Sequence, residues 1–158
     1  MFGKLIAILF VLVSVVVVNP VGSALAAPLS ATNRDVTTIR TQIEVLSDAL
    51  AENGYIIQDT DWDLLELGDS MTYNGTFYRG NDYRIIAIGG RGIADLDISV
   101  YDEDENLIDE DTATDALPMV DVSPRWNGEL SIQVKLYSLQ RGLSTYDDYV
   151  YGFIVAYK

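Results

Sequence analysis

The side chains with the greatest chemical capacity are carboxylates, and they are concentrated in one stretch. Between Asp95 and Asp115 stand ten acidic residues and no Lys or Arg. Calcium takes six to eight oxygen ligands, and a strand–turn–strand can converge several carboxylates on one ion. Binding would also relieve the mutual repulsion of so many negative charges. Asp102, Asp104 and Asn106 copy the opening spacing of an EF-hand loop. Leu107 stands where that loop needs Gly, and Ala113 where it needs a bidentate Glu, so an EF-hand is excluded. The competing reading is a solvated hairpin tip at Asp102–Asn106, with alternation placing Asp95 and Asp97 on the solvent face.

Other chemistry is thinner. Two acids at a set separation can hydrolyse a glycosidic bond, but short connections leave little room for a substrate pocket, so an acid-pair hydrolase is only a distant alternative. The chain has neither His nor Cys, which removes the Ser-His-Asp triad, thiol nucleophiles, zinc fingers and haem or iron–sulfur ligation. Gly89-Gly90-Arg91-Gly92 lacks the Lys-Ser/Thr of a phosphate loop and reads as a tight turn. Asn74-Gly75 reads as a hairpin turn. Tyr149, Tyr151, Phe153, Val155 and Tyr157 share one face of a strand, either as packing partners or as a row on which sugars stack. Trp62 and Trp126 lie in or near turns and are the expected exposed ligand-binding residues.

The elements that must position these groups follow from pattern. The chain has 158 residues, one domain by length, with 24 acidic and 10 basic side chains and a net charge of -14. That charge argues against nucleic-acid binding and against docking on anionic lipid. Met1–Lys4 is a short basic start, and Leu5–Val18 an apolar run too short to span a bilayer. Ala24-Leu25-Ala26 offers a cleavage site, so residues 1–26 read as a signal peptide, the alternative being an uncleaved N-terminal anchor. The expectation is a secreted or periplasmic, bacterial-style protein with no stable membrane insertion after cleavage.

Residues 27–33 form a linker, and 34–53 a helix. Val36, Ile39, Ile43, Leu46 and Leu50 recur at spacings of 3, 4, 3 and 4, which is one helical stripe. The stripe either lies on the body of the domain or serves as a handle for homo-oligomerisation. From Gly54 to Lys158 the period changes to two, clearest in Leu96-Ile98-Val100 and Leu130-Ile132-Val134-Leu136. Strands are expected at 55–57, 63–67, 71–78, 83–88, 95–101, 106–109, 119–122, 129–136 and 149–157. The fold class is mainly β: an antiparallel sandwich preceded by one N-terminal helix.

From Leu67 to Tyr157 the order of features resembles the bacterial pre-peptidase C-terminal domain. It is carried by Gly68-Asp69-Ser70, by Gly75 through Tyr83, by Asp95-Leu96-Asp97-Ile98-Ser99-Val100-Tyr101-Asp102, by Glu105-Asn106-Leu107-Ile108, by Asp111, Asp115 and Pro118, and by Gly128–Val134 and Tyr151–Tyr157. The resemblance implies a jelly-roll-like sandwich, generally non-catalytic, of the kind found on exported proteins; related domains bind substrate and calcium. Asp95, Asp97, Asp111 and Asp115 sit in the matching segment and are the expected calcium ligands. No peptidase precedes the domain in this sequence, so a targeting role for an attached enzyme does not carry over. The reading is a non-catalytic module recognising an extracellular protein or polysaccharide, its 95–115 loops either ordered by calcium or simply solvated. The alternative is a structural cell-envelope component assembling through the helix.

Overall fold

A computed structural model describes residues 33–158. The expected signal peptide (1–26) and all of the expected linker but Asn33 lie outside the described residues. Asn33 itself opens the helix α1, Asn33–Glu52. Eight strands follow: β1 Ile56–Leu65, β2 Ser70–Phe77, β3 Tyr83–Gly89, β4 Ile93–Tyr101, β5 Leu107–Asp111, β6 Met119–Val122, β7 Gly128–Leu139 and β8 Tyr149–Tyr157. They form two four-stranded sheets, ordered β1-β8-β3-β6 and β2-β7-β4-β5. All pairings are antiparallel, and β1 meets β8, β2 meets β7, β3 meets β6 and β4 meets β5. That nesting is the jelly-roll order.

Alternation builds the core between the sheets. Leu96, Ile98 and Val100 of β4 and Leu130, Ile132, Val134 and Leu136 of β7 all point inward, and each is buried. From β8, Tyr149, Tyr151, Phe153 and Val155 meet them. These four residues of the expected row are therefore packing, and Tyr157 at its end is partly buried against the same core. The opposite face of β8 is also buried, because α1 lies on it.

The helix stops at a left-handed Gly54 (φ 82). The Tyr55 N–H donates to the Leu50 carbonyl and the Gly54 N–H to that of Ala51, the Schellman arrangement that satisfies final-turn carbonyls. Ile39, Ile43 and Leu50 are buried against Ile86, Ile88, Val150 and Ile154, with Val36 and Leu46 at the margin. The apolar stripe is thus committed to this chain's own sheet. Self-association through α1 would have to use the outer side, where Val45 is 62% exposed.

Three local expectations need correction. Segments 55–57 and 63–67 belong to one ten-residue strand, β1. Asp is depleted in strands, so Asp59, Asp61 and Asp63 disguise it. Each carboxylate accepts the N–H of the next residue, Thr60, Trp62 or Leu64, at 2.8–2.9 Å. Asn74-Gly75 is no turn but lies within β2, opposite Ser131 and Leu130, and the Ser131 hydroxyl donates to Asn74 Oδ1 at 2.7 Å. Asp95 is not solvated: it is 4% exposed, flanked by register shifts that break the alternation. Beside it the 112–118 segment crosses over, its Asp115 carbonyl accepting from the Leu96 N–H.

Candidate binding groove

The chain between β6 and β7 carries Ser123-Pro124-Arg125-Trp126-Asn127 and turns back at Gly128. Asn127 Oδ1 accepts the Arg79 N–H at 2.8 Å, tying this loop to the one after β2. Gly128 leaves room for the side chains that lie over it. A Cβ there would come within 2.7 Å of the Trp126 indole nitrogen and would also strike the Glu103 carboxylate. Glu103, from the β4–β5 hairpin tip, reaches across and accepts the Glu129 N–H at 2.9 Å. Trp126 is thereby seated by two loops and remains 43% exposed.

Its ring borders a groove of about 370 Å³ between the edges β5 and β6. Ile108, Pro124 and Leu130 supply apolar wall, while Asp109, Asp121 and Arg125 supply polar rim. Asp121 is occupied: Arg84 holds it through two hydrogen bonds of 2.7 and 2.6 Å, and that bonding raises the Arg84 guanidinium above its ordinary range. Arg125 has no ion pair among the described residues. Apolar and polar groups share the lining about equally, with one exposed aromatic among them, and such convergence of an aromatic with polar groups can orient a ligand.

Trp62, the other expected ligand residue, is placed differently. It stands within β1 opposite Gly152, packed with the residues under α1. The Arg40 guanidinium lies 5.2 Å above its ring. The indole is partly buried and supports the helix.

The four aspartates expected to share calcium are not gathered. Asp111 spends its two oxygens on the N–H groups of Ala113 and Met119, and Asp115 spends Oδ1 on Leu117. Asp95 is buried, with Oδ1 lacking any hydrogen-bond partner. Asp97 sits alongside, opposite Lys135; burial and then the Asp95 charge push its carboxyl above the ordinary range, against the pull of Lys135. Among the described residues no group of three or more acidic side chains is placed to hold a metal ion.

The hairpin tip is satisfied internally. Asp102 accepts from the Asn106 side chain and from the main-chain N–H groups of Asn106 and Asp104, which holds its carboxyl below the ordinary range. Asp97, within β4, and Asp102, just past its end, are displaced in opposite directions and lie five positions apart along the chain, roughly 17 Å. That is too far to act on one bond. Among the described residues no helix is long and apolar enough to cross a membrane. No protein-family model matches the chain, and no curated protein matches it.

Proposed function

We propose that the chain is a non-catalytic recognition module, secreted or periplasmic, that takes an extracellular protein or polysaccharide surface into the Trp126 groove. One observation carries the reading: a half-exposed Trp, lying over Gly128, beside a groove lined by both apolar and charged side chains. Two features of the sequence support it. The first segment has the order of a signal peptide, and residues 67–157 resemble the bacterial pre-peptidase C-terminal domain, a sandwich generally without catalysis. A jelly roll by itself assigns no function, so the groove bears the weight.

The test is a binding screen of the chain against envelope polysaccharides and envelope proteins, followed by indole fluorescence. A true ligand shifts the emission of Trp126 in a Trp62→Phe background. Trp126→Ala then weakens binding about thirtyfold, the ~2 kcal/mol of a central aromatic anchor. A ligand whose affinity ignores Trp126→Ala while the fold is intact overturns the assignment.

A further inference from the structure

The four edges of the two sheets are not treated alike. On β1, the N–H groups of Thr60, Trp62 and Leu64 are each taken by the preceding aspartate. On β5, only five residues long, the Glu110 N–H goes to Asp109 Oδ1 at 3.0 Å. On β6, only four residues long, the Met119 N–H goes to Asp111 Oδ2 at 2.9 Å. An extended segment joining any of these edges would first have to displace a charged acceptor, which is how native sheets blunt their edges. β2 is the exception. It runs for eight residues with β7 on one side only. Among the described residues no side chain accepts from its main-chain N–H groups.

What lies across from that open edge indicates the occupant. β1 and β2 are the edge strands on the same side of the sandwich, and Tyr73 of β2 reaches Tyr151 of β8 at 2.6 Å. Trp62 and Leu64 face α1, so the alternating Asp59, Asp61 and Asp63 face the other way, toward the second sheet. Their charge bears on the Tyr73 hydroxyl, adding to the burial that keeps its proton on. None of the three has an ion-pair partner among the described residues. They repeat every second residue, roughly 6.7 Å, the same period as alternate side chains of any added strand.

We propose that the β2 edge docks an extended basic segment of a partner protein, which joins the β2-β7-β4-β5 sheet as a fifth strand and sets alternate Lys or Arg side chains against Asp59, Asp61 and Asp63. The main-chain ladder supplies affinity and the aspartate row supplies specificity, as in other cases of strand addition. The net charge of -14 steers a basic partner toward the molecule. This surface is on the side of the sandwich away from the Trp126 groove and is independent of it.

The probe is a capped eight-residue peptide alternating Lys with Thr, titrated into the chain and followed by NMR and amide exchange. Binding slows exchange of β2 amides. N-methylating alternate residues of the peptide in one register weakens binding at least tenfold, and in the other register leaves it unchanged. Replacing Asp59, Asp61 and Asp63 together by Asn, which keeps the accepting oxygens but removes the charges, weakens binding about tenfold. Asp61→Asn alone weakens it less, and serves if the triple variant folds poorly. A Glu-Thr peptide does not bind. Indifference to N-methylation in both registers, no protection of β2, no binding at millimolar peptide, or loss on Trp126→Ala would each overturn the proposal.

Discussion

The hydroxyls of Tyr73 and Tyr151 meet at 2.6 Å, one from the edge strand β2 and the other from the centre of the opposite sheet. Tyr73 also stacks on Phe153, ring centroids 4.3 Å apart. Each phenol is the other's partner, so deleting one oxygen strands the second. Tyr151→Phe should cost ~1–2 kcal/mol in urea unfolding and Tyr73→Phe a similar amount, while the double variant costs less than their sum. A double-mutant cycle with no coupling would show that the pair does not act as a unit.

Those two phenols also set an alkaline limit. Burial pushes both above their ordinary value of 10.0, the Tyr73 bond adding to the effect at Tyr151. The folded state therefore keeps protons that the unfolded state releases. Stability from this source is whole below pH 10 and falls as pH rises beyond it. In a spectrophotometric titration these two tyrosines should ionise after the exposed ones.

Gly152 lets the helix approach its sheet. A Cβ at that position would lie 3.0 Å from Ile39 Cγ2 and from Ile43 Cγ1. Gly152→Ala should cost ~1–2 kcal/mol by overpacking. Ile39→Ala, emptying a fully buried site, should cost ~2–5 kcal/mol. In both variants amide exchange should accelerate in α1 before it does in β4 or β7.

Asp97 works against the fold at neutral pH. Its carboxyl is held above 3.8, so the folded state binds that proton more tightly than the unfolded chain does. This penalty is absent below pH 3.8 and grows as pH rises through the elevated value. Asp97→Asn should raise Tm at pH 7 and give no gain below pH 3.8. A gain independent of pH would assign the effect to something other than this ionisation.

Calcium should do no more than screen charge. A dedicated site at a hundred times its Kd would add about 2.7 kcal/mol. Because the four candidate aspartates do not converge, thermal unfolding in millimolar calcium should match that in magnesium at equal ionic strength. A calcium-specific rise, lost on Asp111→Asn, would require the 112–118 segment to rearrange around an ion.

Periodicity makes much of this architecture legible in the sequence alone. The 36/39/43/46/50 stripe meets one surface, and Leu96-Ile98-Val100 and the β7 residues have one wet side, so each leaves a clean pattern. β1 left none, because its aspartates cap its own edge and look like loop chemistry. Asn74-Gly75 has the composition of a turn, but pairing with β7 decides its conformation. The register shifts around Asp95 obey no residue pattern, which is why its burial was illegible. The exposure of Trp126 is legible from its neighbours Pro124 and Asn127-Gly128. Trp62 was misplaced by the same reasoning, since the strand containing it had been divided. The groove itself brings Ile108 beside Trp126 across two sheets, and no local signal encodes that.

The position of β8 governs the order in which the molecule can be assembled. Ile56 pairs with Tyr157, and β1 and β3 touch only through β8. Until residues 149–157 are present, one sheet has no centre and the helix has no seat. Distant pairings of this kind make folding slow, since long loops must close before any contact rewards them. A chain cut before Tyr149 therefore lacks the strand that joins β1 to β3 and the surface on which most of α1 packs.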